Sequence, residues 1–68
     1  MSAGYSLILA SSVGERDGIG LEPTRVDGGC AAEVFEDADT GNRVVNVFDK
    51  NVPVEAIEWL LAEARARL

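Results

Sequence analysis

Apolar and polar positions divide the chain into four short segments of strand character and then one longer segment of helical period. In residues 5–10, Tyr5, Leu7 and Leu9 alternate with Ser6, Ile8 and Ala10, and the aromatic and branched side chains favour a strand. Residues 11–18 hold small polar residues and glycines that break any period, so they read as a loop. Residues 19–26 form a second strand, which Gly20 and Pro23 weaken. Proline cannot donate to a ladder, so this strand is expected at a sheet edge. Asp27-Gly28-Gly29 is a turn signal, residues 30–36 are a third strand, and residues 37–42 are a second polar loop. Residues 43–48 give the clearest strand: Val44, Val45, Val47 and Phe48 put apolar groups on both faces, as in a central strand.

The last segment is a helix. Pro53 sits near its first position, where a missing N–H costs nothing. Glu55 and Glu58 lie in its early turns and Arg65 and Arg67 in its last, complementing the macrodipole. Glu63 and Arg67 have the spacing of an i, i+4 pair. Val54, Ile57, Leu61, Ala64 and Leu68 recur at steps of three and four, with Leu60 widening the stripe. These elements predict an α+β fold over residues 1–68, a single domain: three or four antiparallel strands with one C-terminal amphipathic helix on a face.

Trp59 falls outside that stripe. At about 100° per residue it lies roughly opposite Ile57, Leu61 and Leu68. Its helical neighbours are Glu55, Ala62, Glu63 and Ala66. A large ring beside small alanines, with carboxylates at the margin, resembles a contact patch, since tryptophan is enriched at interface hot spots. Its partner is a second copy or a foreign protein; alternatively, residues 1–4 fold over the ring.

Charge adds a second surface. Twelve acidic residues oppose six basic ones, a net charge of −6 on 68 residues. That balance opposes direct binding to nucleic acid or an anionic membrane and favours a basic partner, although acidity also serves plain solubility. The interval between Arg25 and Arg43 holds Asp27, Glu33, Glu36, Asp37 and Asp39 and no cation. Glu36, Asp37 and Asp39 are expected together at a hairpin tip, where concentrated carboxylates speed association with a basic surface. Glu15, Asp17 and Glu22 are left unplaced.

Several chemistries find no support. Asp37-x-Asp39-x-Gly41-Asn42 begins like a calcium loop, but Gly41, Asn42 and Phe48 stand where an oxygen ligand, glycine and glutamate are required. Residues 14–20 are glycine-rich without the lysine of a phosphate loop. With no histidine, one lysine (Lys50) and one cysteine (Cys30), neither a zinc site, an internal disulfide nor a catalytic triad is available. Catalysis, metal and cofactor are therefore not expected. Residues 7–10 are too short an apolar run for a membrane span or signal peptide, and the lone thiol fits a reducing compartment, so a cytoplasmic location is expected. So short a chain without a staple also favours self-association or docking on a partner.

In size, charge and simple α+β make-up the whole chain resembles the small phage- and plasmid-encoded inhibitors, including DNA mimics and anti-CRISPR proteins. The resemblance includes no motif, so it transfers no functional residue. It implies occlusion: Glu33, Glu36, Asp37 and Asp39 would occupy a basic groove of a nucleic-acid-binding protein, with Trp59 as apolar anchor. Two other readings stand beside it. One is an immunity protein or antitoxin against a basic nuclease toxin. The other is a small homodimer paired through Trp59, Ala62 and Ala66.

Overall fold

The computed structural model describes residues 4–12 and 17–68. The chain runs β1 (Ser6–Ser12), β2 (Gly18–Thr24), β3 (Ala32–Asp37), β4 (Arg43–Val47) and α1 (Val54–Arg67). The strands form one antiparallel sheet in sequence order, β1-β2-β3-β4, and α1 lies over its middle. The expected α+β architecture is what forms, with the first strand part of the sheet.

Two strands exchange the positions expected of them. β2 is interior, paired with both β1 and β3. Its proline is tolerated because the β2–β3 register stops at Leu21, and beyond it Pro23 contributes only its carbonyl, which accepts the Ala31 N–H at 2.9 Å. The missing N–H would have pointed to that same side, in the gap between the last ladder pair, Leu21 with Val34, and the isolated bridge of Thr24 with Cys30. β4, expected at the centre, is an edge.

Sheet-to-helix proportions explain the core. Strands lie about 4.8 Å apart, so four span roughly 14 Å, whereas a helix is about 10 Å wide. α1 accordingly packs on β2 and β3 and leaves both outer strands uncovered. Leu21, Ala32, Val34, Leu60 and Ala64 form the core, with Leu7, Ile57 and Leu68 packed around it. Small Ala32, Ala56 and Ala64 let helix and sheet approach closely. The buried line of the helix is Ala56-Leu60-Ala64, one residue off the expected centre, so Leu61 stays 44% exposed and Val54 74%.

The turns follow their side chains. In the β2–β3 connection the Asp27 carboxylate accepts the Gly29 N–H at 2.8 Å. In the β3–β4 turn Asp37 accepts the N–H groups of Asp39 (2.8 Å) and Thr40 (3.1 Å), and Gly41 takes the left-handed φ of +76° that closes it. Pro53 caps α1 from just outside, and Arg67 pairs with Glu63 at 3.1 Å, the expected i, i+4 contact.

Candidate protein-binding surfaces

The carboxylates adjacent in sequence are dispersed in space. Asp27 sits in the β2–β3 connection, at the opposite end of β3 from Asp37 and Asp39. Most are engaged locally. Asp27 holds the Gly29 N–H and meets Arg25 Nε at 3.2 Å, Glu36 accepts from Arg43 Nε at 2.7 Å, and Asp37 supports its own turn. Glu33 is buried on the face away from α1, where it accepts from Asn46 Nδ2 at 3.0 Å. Asp39 is exposed.

Asp17 is brought to the same end of the sheet as Asp37 and Asp39. Its carbonyl accepts the Ala38 N–H at 2.9 Å, and neighbouring Gly18 pairs with Asp37. The acidic end thus draws on Asp17, Glu36, Asp37 and Asp39, while Glu22 lies on β2. Glu15 lies outside the described residues. Arg43 and Arg65 stand on the helix side of this same end.

Trp59 is half-buried on α1. With the buried line through Leu60, its ring lies about 100° round the helix from the core rather than opposite it. The opposite placement assumed a stripe centred on Ile57 and Leu61; the sheet sets it on Leu60 instead. Glu55, Ala62 and Ala66 are exposed, and Glu63 is half-buried and paired with Arg67. Residues 1–3, which an alternative laid over Trp59, lie outside the described residues.

A third surface runs along β4. β4 is an edge strand whose Val44, Val45 and Val47 are each about half exposed, as is Phe48 just beyond it. Val45 pairs with core Val34, so Arg43, Val45 and Val47 face the helix side, while Val44 and Asn46 face the other. Between β4 and α1 runs an open groove of about 250 Å³, lined by Val34, Val45, Leu61 and Ala64 with Arg43 and Arg65. The backbone bonds Asp37 N–H to Asn42 O and Phe48 N–H to Ala31 O set the alternation along the strand. Even-numbered residues address β3, so the backbone groups of Arg43, Val45 and Val47 point outward. The signal was present in the sequence as apolar residues on both faces of one strand; only the strand order was lacking.

Cys30 is half-buried beside the β2–β3 connection and donates to the Ala32 carbonyl at 2.9 Å. Burial, then the negative charge of Glu22, pushes its thiol above the usual range. Among the described residues no three carboxylates or thiols gather as metal donors, and no helix is long and apolar enough to cross a membrane.

No family model, curated protein or solved structure matches the chain.

Proposed function

We propose that the chain is a non-enzymatic binding domain that docks on another protein through the open β4 margin of its sheet. The observation carrying this reading is a row of outward backbone groups at Arg43, Val45 and Val47, flanked on both faces by half-exposed valines, Phe48 and Leu61. Edge strands are normally blunted by proline, lysine or a bulge. β4 has no proline or lysine, and Arg43, its one charged residue, is tied to Glu36. Such an edge accepts a partner strand, with main-chain bonds supplying affinity and alternate side chains selectivity. The lone half-buried thiol supports a cytoplasmic setting.

The test is the double variant Val45→Lys, Val47→Lys. It should keep the circular dichroism of the wild type and lose the host proteins that the wild type captures. Retention of every captured protein would overturn the β4 reading.

A second reading is favoured by the meeting of Asp17 with Asp37 and Asp39. An acidic end supports docking on a basic, nucleic-acid-binding protein, as an inhibitor of the DNA-mimic or anti-CRISPR kind, or as an immunity protein or antitoxin against a nuclease. Salt separates the two readings. Binding through carboxylates should weaken steeply between low and high salt, whereas an apolar edge should hold.

A further inference from the structure

We propose that the partner docked on β4 is a second copy of this chain, paired antiparallel about a two-fold axis at Val45; this rests on the β4 reading above. The outward backbone positions are Arg43, Val45 and Val47, evenly spaced and symmetric about Val45. Antiparallel pairing of two such edges sets Val45 against Val45 and Arg43 against Val47 in both directions, so every outward donor and acceptor on one copy meets its complement on the other. No arginine faces an arginine.

The side chains agree with this register. β4 is apolar on both faces, a pattern suited to a strand with neighbours on either side, yet the single chain leaves it an edge. Pairing two copies makes β4 a central strand of an eight-stranded sheet and removes the conflict. α1 carries a similar surplus: Val54 and Leu61 are apolar but exposed on its β4 side, interleaved with Glu58 and Arg65. α1 runs opposite to β4, because Leu61 and Arg65 line the groove beside Arg43 and Val45 at the start of that strand. A two-fold through Val45 therefore brings the Glu58 end of one helix toward the Arg65 end of the other, twice. Those charges sit seven residues apart, roughly 10 Å along the axis, on either side of Leu61.

The two-fold tolerates the charges of β4: Arg43 is already paired with Glu36 in its own chain and stands against Val47 of the second copy. The half-exposed Val44, Val45, Val47, Phe48 and Leu61 present on the order of 400 Å² of apolar surface per copy, about half of what a standard stable interface buries on each side. The strand backbone and Asn46 supply part of the polar remainder.

The test uses sedimentation equilibrium of the full chain and cysteine cross-linking in a Cys30→Ser background. Wild type should be a dimer, and Val45→Lys, Val47→Lys should weaken it by roughly tenfold or more while Trp59→Ala leaves it intact. Val45→Cys should form a disulfide-linked dimer under mild oxidation, whereas Leu9→Cys on the opposite margin should not; this check does not depend on the lysine variant folding. A wild type that stays monomeric to millimolar concentration, or Leu9→Cys linking as readily as Val45→Cys, would overturn the second copy. If the wild type is monomeric and the lysine variant still loses captured proteins, the β4 docking reading survives with a foreign strand as occupant. If neither changes, both fail.

Discussion

Arg25 Nη1 donates to both carboxylate oxygens of Asp49. That contact ties the β2–β3 connection to the junction between β4 and α1, across 24 positions of sequence. Arg25 Nε also reaches Asp27, so one guanidinium spans two carboxylates and is held in its charged form chiefly by Asp49. Arg25→Met and Asp49→Asn should each lower the melting temperature by a similar amount, and the double variant should fall no further than the worse single one. Additive losses would mean that the two residues act separately. Gly29→Ala adds an independent check, because a Cβ there would lie 1.8 Å from Arg25 Nη2. Its cost should vanish in the Arg25→Met background.

Gly18 and Gly20 lie two apart on β2, on the face away from α1, yet they tolerate a methyl group very differently. A Cβ on Gly18 would stand 2.2 Å from the Glu36 carbonyl oxygen and 2.5 Å from Phe35 Cζ; on Gly20 the nearest atoms are 3.7 Å away. The backbone oxygen cannot step aside cheaply. Gly18→Ala should destabilise by about 2 kcal/mol, at the overpacking scale, while Gly20→Ala should be neutral or gain up to about 0.5 kcal/mol. Urea unfolding of the pair decides it. Equal midpoints would refute the close packing of the Phe35 ring on Gly18.

Leu60 and Leu61 separate the buried line of α1 from its open flank. Leu60 is fully buried and Leu61 is 44% exposed. Leu60→Ala should cost about 2–5 kcal/mol and Leu61→Ala under about 1 kcal/mol in the separated chain, measured by chemical denaturation at low concentration. A larger loss at Leu61 would place the helix in the orientation expected from periodicity alone.

That contrast shows what the pattern of residues can and cannot carry. Five elements and their order were legible because each has its own local signature: alternation, turn aspartates with glycines, Pro53 and a basic last turn. The rotation of α1 was not, because its apolar arc from Val54 through Leu61 to Leu68 is wider than two strands can cover. Strand order was likewise hidden. Pro23 signals an edge only if its missing N–H would face a continuing ladder, and the ladder with β3 ends at Leu21. The site suffered a related error: Asp27 and Asp39 are near in sequence but separated by the length of β3, whereas Asp17 reaches Ala38 across the sheet.

Asp27 should make stability depend on acid. The Gly29 N–H, followed by Arg25, holds its carboxyl below the usual carboxylate range. The unfolded chain therefore takes up this proton first as pH falls, and the folded state gains stability above the ordinary carboxylate value that it loses as pH drops through the depressed one. Asp27→Asn keeps an oxygen for Gly29 but no charge. The melting-temperature gap between wild type and Asp27→Asn should be positive at neutral pH and close below about pH 4. A gap that widens in acid would contradict the assignment.

Cys30 should react slowly for a thiol so near the surface. Its Sγ donates to Ala32 O, and burial together with Glu22, Glu33 and Asp49 opposes the thiolate. The thiolate is the nucleophile, so at pH 8 modification by a chromogenic disulfide should run several-fold slower than for a small free thiol, roughly in proportion to thiolate content. Raising the pH beyond the ordinary thiol range should recover the rate. Glu22→Gln should lower the apparent pKa and speed the reaction at pH 8, because it removes the largest charge acting on the sulfur without unburying it. No acceleration in that variant would leave burial alone as the cause.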